Sequence, residues 1–79
     1  MVTVYREAGF RFVIFSDDHE PAHVHVVGNA LAKVSLVGAG GSPELVYSGG
    51  FKQGDVRKFM EIIRRQRALL LKKWKDIHG

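Results

Sequence analysis

The chain has 79 residues, of which 46% are hydrophobic and 25% are charged, a composition typical of a globular domain and not of a disordered chain. It contains no cysteine, which excludes a disulfide framework and a cysteine-ligated zinc finger. No apolar run approaches the roughly 18 residues of a membrane span, and the N-terminus lacks a signal-peptide pattern. We therefore expect one cytoplasmic domain over residues 1–79 that does not enter a membrane.

The positive charge is concentrated in the C-terminal third. Residues 52–79 hold nine Lys or Arg and three acids, a net charge of +6, whereas residues 1–51 hold three and five, a net charge of −2. This asymmetry predicts either an anionic partner, such as RNA or an acidic protein, or a basic helix face in contact with water. A core of this size stabilises a fold by only about 3–5 kcal/mol, so a homodimer would add useful stability.

The first half of the chain has the patterns of β-strands. Five stretches are rich in β-branched and aromatic residues or alternate apolar with polar side chains: residues 2–6, 10–16, 22–27, 30–37 and 44–47. The short connections Ala8-Gly9 and Gly28-Asn29 predict two β-hairpins. The glycine-rich stretch before the last strand lacks the Lys-Ser/Thr of a phosphate-binding P-loop, so it is interpreted as a connector.

From about residue 52 to residue 77 the apolar side chains recur with the period of a helix. They form one stripe: Val56, Phe59, Met60, Ile63, Leu70, Trp74 and Ile77. Arg67 falls in the middle of this stripe, so the helix is expected to bend near Gln66, or the guanidinium to reach water or a buried carboxylate. The predicted fold is α+β, a mostly antiparallel sheet of four to five strands packed against one long C-terminal helix that is kinked near Arg67.

The segment SDDHEPAHVHVVG, residues 16–28, contains the candidate site. The stretch from His19 to His23 matches the H-E-x-x-H pattern of zinc proteases, but Pro21 disfavours the helix that this pattern requires. On a strand, His23 and His25 project from the same face, and His19 can join them from the preceding turn. Sequence reasoning therefore predicts a cluster of three histidines on one side of the sheet.

Three interpretations of this cluster stay open. His19, His23 and His25 could bind zinc or another divalent transition metal. Alternatively, His23 and His25 could cleave RNA without a metal, as general acid and base assisted by His19 or Arg11. In the third interpretation the histidines only form hydrogen bonds with Asp17, Asp18, Glu20 or the backbone of the turn.

RNA binding would use basic side chains of the sheet and of the C-terminal helix. The candidates are Lys33, Arg57, Arg64, Arg65 and Lys72. A non-catalytic protein-interaction module is the remaining alternative, because Ile62 and Leu69 are seven residues apart on a second helix face and could contact a partner.

Several stretches together resemble one small bacterial family, known as domain of unknown function 4160. They are GFRFVIFSDDHEPAHVHV, KVSL, SGGF and LLLKKWKDIHG, and this chain has Ala22 where a second proline is usual. The resemblance implies a short bacterial protein that is a component of a toxin–antitoxin pair. It also implies that His19, Glu20, His23 and His25 form the site, and that a small cognate protein is the partner.

Overall fold

The computed structural model describes residues 1–79 and has five strands and two helices. They are β1 (Val2–Glu7), β2 (Phe10–Ile14), β3 (His23–Val27), β4 (Leu31–Ser35), β5 (Glu44–Tyr47), α1 (Gln53–Arg65) and α2 (Arg67–His78). The strands form one antiparallel sheet in the order β1-β2-β3-β4-β5. The predicted α+β class is therefore confirmed.

The turn between β1 and β2 has positive φ at both central residues, which is one of the two turn types that match the twist of a two-residue hairpin. Ala8 has φ 55° and Gly9 has φ 83°. The pairing continues along the sheet, and Val13 of β2 lies opposite His25 of β3. These contacts bring the histidine strand to the centre of the sheet, with two strands on either side of it.

The helices cover one face of the sheet, because alternate residues of the strands supply its apolar side chains. The core contains Phe10, Phe12, Ile14, Val24, Val26, Ala32 and Val34 from the strands, with Phe59, Ile63, Leu70 and Trp74 from the helices. On β3 and β4 the intervening residues are His25 and Lys33, which pair with each other. The alternation therefore turns these two polar side chains to the face that the helices do not cover.

The C-terminal helix is broken where the sequence predicts a bend: it divides at Gln66 into α1 and α2, so the one long helix is only roughly matched. Gln66 has φ −103° and ψ 15°, outside the helical region. The break resolves the position of Arg67, whose Nε donates a hydrogen bond to the Leu36 carbonyl at 2.8 Å. Ile62 is only 2% exposed and belongs to the core, so Ile62 and Leu69 do not form an exposed contact surface. Neither helix is long and apolar enough to cross a bilayer.

The turn after β5 depends on Gly49, where the chain passes directly against the start of β4. Gly49 has φ +58°, and a Cβ at this position would lie 1.6 Å from the carbonyl oxygen of Leu31. Gly40, in the connector between β4 and β5, has a similar φ of +68° but open space around it. Only Gly49 combines a left-handed backbone with close contact to a neighbouring strand.

Candidate functional site

Asp18 is held in place by the turn that follows β2. Its Oδ2 accepts a hydrogen bond from the Phe15 amide at 2.9 Å, and its own amide donates to the Phe15 carbonyl at 3.0 Å. These reciprocal bonds fix both the backbone and the carboxylate, which is the pattern of a local side chain to backbone turn. Asp18 Oδ2 therefore points at the beginning of β3 with little freedom to move.

His23 is the only buried polar residue of the chain, and its ring orientation is fixed by the loop. Its Nδ1 lies 2.9 Å from the Pro21 carbonyl oxygen, which can only accept, so Nδ1 carries the proton. In the neutral ring Nε2 is then an acceptor, and it faces Asp18 Oδ2 at 3.4 Å. Two acceptors face each other at this distance, so a proton or a cation is needed between them.

His25 brings a third possible ligand atom to the same point. Its side chain is 12% exposed, and its Nδ1 lies 3.9 Å from Asp18 Oδ2. That nitrogen is buried and has no hydrogen-bond partner. Burial is the main cause that lowers the pKa of His25, and the charges of His23 and Lys33 lower it further against the opposing effect of Asp18. The ring is therefore neutral at pH 7, the form in which histidine binds metals.

The three ligand atoms form a compact group. One atom each from Asp18, His23 and His25 lie within 4.8 Å of one another. The ring centroids of the two histidines are 5.3 Å apart and edge to face. The same residues line a cavity of about 480 Å³, together with Asp17, His19, Glu20, Pro21, Lys33, Ser35 and Val46. The group is thus open to small molecules on one side, as a site with a free coordination position requires.

Helix α2 also contacts the loop between β2 and β3 and holds it in place. Trp74 Nε1 donates a hydrogen bond to Glu20 Oε2 at 2.9 Å, and the Trp74 ring lies 5.0 Å from the His23 ring, centroid to centroid. His78 stacks on the far side of Trp74 at 3.9 Å. The end of α2 therefore supports the loop and the first histidine of β3.

The sequence prediction of three converging histidines holds for two of them. His23 and His25 meet, whereas His19 is exposed on the rim of the cavity and outside the group of ligand atoms. Arg11 lines a different cavity beside the hairpin of β1 and β2. Asp18 takes the third position, and sequence reasoning considered it only as a hydrogen-bond partner.

The predicted RNA-binding residues do not form one surface with the histidines. Lys33 lies beside His25, but the others are on the helices, which pack on the opposite face of the sheet. Arg65 forms a bidentate ion pair with Glu7, with Nη2 2.6 Å from Oε2, and Lys72 pairs with Asp76 at 3.2 Å. Arg57 and Arg64 are exposed on α1 and have no ion-pair partner.

The signal that could have identified Asp18 is its distance from Phe15. An aspartate three residues after the first residue beyond a strand can accept the backbone amide of that residue and so close a turn. A carboxylate fixed in this way lies at the start of the next strand, next to the first histidine of the H-x-H pattern. His19 has no such anchor, which explains why proximity in sequence did not bring it into the group.

Comparisons with known proteins identify the family of the chain but no individual relative. The sequence model of a family described as "Domain of unknown function (DUF4160)" matches residues 9–75, which include the whole loop, both histidines of β3 and Trp74. No curated protein and no solved structure matches the chain significantly. Because the match covers 67 of the 79 residues, the chain belongs to the DUF4160 family of domains of unknown function.

Proposed function

We propose that this protein binds zinc or another divalent transition metal ion through Asp18 Oδ2, His23 Nε2 and His25 Nδ1. The observation that carries this proposal is the meeting of three possible ligand atoms: His23 Nε2 and His25 Nδ1 lie 3.4 and 3.9 Å from the Asp18 oxygen, and His25 Nδ1 is buried without a hydrogen-bond partner. Ligands around a tetrahedral ion with bonds near 2.1 Å lie about 3.4 Å apart, so small movements complete the geometry.

A proton satisfies this arrangement less well than a metal ion. A second proton on His23 would bridge its Nε2 to Asp18 but would leave His25 Nδ1 buried and without a partner. An unpaired buried acceptor costs about 1–3 kcal/mol. A metal ion uses all three lone pairs at once, and two imidazoles with one carboxylate are a ligand set that zinc and Fe(II) sites share.

Such a site has a chemical capacity beyond binding. Three protein ligands leave a coordination position free, and water bound there becomes a nucleophile near neutral pH. The cavity beside the ligands has room for a substrate. We therefore propose a hydrolytic role for the loaded protein.

The test is isothermal titration calorimetry of tag-free protein with zinc chloride. Asp18→Asn keeps an acceptor for the Phe15 amide but removes the charge, and His25→Gln removes the buried nitrogen. Each should weaken zinc binding at least tenfold, while His19→Gln, on the rim of the same cavity, should bind as the wild type does. Absence of heat from the wild type at micromolar concentrations overturns the proposal. An equal loss in His19→Gln instead supports the set of three histidines.

RNA binding is a second candidate function, and the free arginines of α1 favour it. We propose that the protein is the toxin of a toxin–antitoxin pair, that it acts in the cytoplasm, and that Arg57 and Arg64 contact RNA phosphates. Both guanidinium groups are exposed and without ion-pair partners, so an anion can reach them without first breaking a salt bridge. Cleavage would then take place at the histidine cavity, with the metal or with His23 and His25 alone.

Fluorescence anisotropy with a labelled oligoribonucleotide tests the binding. Replacing Arg57 and Arg64 by Gln should reduce the slope of log K against log salt by about 1.4, since each phosphate contact on a single strand contributes about 0.7. Replacing Lys73 and Lys75 removes the same charge from α2 and should have a smaller effect. No affinity at low salt, or equal effects of the two pairs, contradicts the assignment to α1.

Cleavage needs its own assay, with and without EDTA. Loss of cleavage in EDTA supports the metal-dependent reaction. Cleavage that persists in EDTA but is lost when His23 and His25 are both replaced by Ala supports the metal-free acid and base predicted from the sequence. Absence of cleavage in every condition contradicts the proposed ribonuclease activity.

A small cognate protein is the partner that we propose for this toxin. The family resemblance carries this proposal, together with the basic surface of α1 and α2, which would attract an acidic protein. Because the resemblance implies a second small gene beside this one, copurification with the product of that gene tests it. A complex that forms at low salt and weakens as the salt concentration rises supports the partner, and two proteins that elute separately at low salt and micromolar concentrations contradict it.

A further inference from the structure

Two polar residues of β4 lie directly across from the histidines. Lys33 pairs with His25 and Ser35 pairs with His23 in the register of β3 and β4. Directly opposite residues of antiparallel strands have Cβ atoms about 4.5–5.5 Å apart and share a face. Lys33 and Ser35 accordingly line the same cavity as the three candidate ligands.

Lys33 is a cation that forms no ion pair within the protein, although Asp17 and Asp18 line the same cavity. Its charge acts on His25, since it is one of the causes that lower the pKa of that histidine. An ammonium group beside a metal ion is repelled unless an anion lies between them.

Ser35 presents a donor to the same cavity. Its Oγ accepts a hydrogen bond from the Val37 amide at 3.2 Å. The hydroxyl proton is not used in that bond and is free to donate. The Ser35 hydroxyl donates to no acidic side chain, although Glu44 lies directly opposite Ser35 on β5.

We propose that Lys33 and Ser35 form an anion subsite that holds a phosphate group against the metal ion bound by Asp18, His23 and His25. The inference rests on the metal site proposed above. A phosphate group offers one oxygen to the metal, one to the ammonium and one to the hydroxyl, whereas a carboxylate has only two oxygens. The cavity of about 480 Å³ is larger than a phosphate, so the substituent of a phosphate ester fits beside it.

The experiment titrates inorganic phosphate into the zinc-loaded protein by calorimetry, after zinc affinity has been measured for every variant. Both Lys33→Met and Ser35→Ala should keep the zinc affinity within about threefold of the wild-type value. Lys33→Met should also lower the phosphate affinity at least tenfold. Lys52→Met removes an exposed lysine outside the cavity and is the matched control, with both affinities unchanged. Circular dichroism checks that each variant is folded.

The outcomes separate the subsite from the metal site. Normal zinc binding with unchanged affinity of Lys33→Met for phosphate, for a nucleoside monophosphate and for a short oligoribonucleotide overturns the subsite alone, and absence of zinc binding overturns both. Parallel titrations with a nucleoside monophosphate and a short oligoribonucleotide distinguish a free phosphate from a nucleotide or an RNA chain. A tenfold loss in Lys33→Met with any of the three ligands supports the subsite, and a loss with none contradicts it.

Discussion

At the scale of single residues, each candidate ligand is held by a neighbour that leaves one lone pair free. The Phe15 amide orients Asp18, the Pro21 carbonyl fixes the proton of His23, and burial keeps His25 neutral. The histidine pair could be predicted from sequence, because residues two apart on a strand share a face. Asp18 could be predicted only from the turn that it forms with Phe15, three residues earlier.

Gly49 is the residue whose replacement should damage the fold most directly. Gly49→Ala should destabilise the protein by about 2–4 kcal/mol, because the new Cβ meets the Leu31 carbonyl in a left-handed backbone. Gly40→Ala has the same backbone strain but open space, and should lose about 1 kcal/mol. Urea unfolding of the two variants measures the difference. Equal midpoints would mean that the contact with Leu31 relaxes without cost.

At the scale of elements, local pattern predicts the strands and the position of the helix break, but not the contact that Arg67 makes. Alternation and turn residues located all five strands, since hairpin pairing is local. The charged Arg67 interrupts the apolar stripe, so a bend near Gln66 could be predicted. The partner of Arg67 could not, because the Leu36 carbonyl that accepts from its Nε is distant along the chain.

Removing that bond tests what holds α2 against the sheet. Arg67→Met keeps much of the stem but cannot donate to Leu36, so the free energy of unfolding should fall by about 1–2 kcal/mol. Arg64→Met, an exposed position on α1, should change it by less than about 0.5 kcal/mol. Urea denaturation gives both values. An unchanged midpoint for Arg67→Met would show that packing alone fixes the helix break.

The ion pair between α1 and β1 should make stability depend on pH. The hydrogen bonds from Arg65 and Tyr5 lower the pKa of Glu7 below its ordinary value of 4.5. A carboxyl whose pKa is lowered in the folded state adds stability above its unfolded pKa, and that stability is lost as the pH falls through the lowered value. Glu7→Gln should therefore unfold at lower urea than wild type at pH 7, and the gap should close in acid.

The control for this prediction is Glu61→Gln, because Glu61 is exposed on α1 and has no ion-pair partner. Its urea midpoint should follow that of the wild type at every pH. A gap for Glu7→Gln that stays constant from pH 7 into acid would mean that the charge of Glu7 does not contribute.

At the scale of the whole molecule, one face of the sheet packs against the helices and the other carries the proposed site. The helices bury the first, and the second carries the two histidines, Lys33 and Ser35. The basic charge that sequence reasoning joined to the histidines lies mostly on the helix side, because composition reports how much charge a segment has but not which face carries it.

Zinc should stabilise the whole fold, because the ligands come from the loop and from β3 at the centre of the sheet. At a free zinc concentration of about 100 times Kd the gain is about 2.7 kcal/mol, which for a domain of this size raises Tm by roughly 10–20 °C. Differential scanning calorimetry measures this shift, and Asp18→Asn should show little of it at the same zinc concentration. A wild-type Tm that does not change when zinc is added contradicts the proposed site.

The most direct test of the central claim is nitrogen NMR of the four histidine rings during titration with zinc. The account predicts that the ¹⁵N resonances of His23 Nε2 and His25 Nδ1 shift to values typical of metal-bound imidazole. Those of His19 and His78 should stay where they are. Unchanged spectra, or coordination through His19 in place of either strand histidine, would contradict the account.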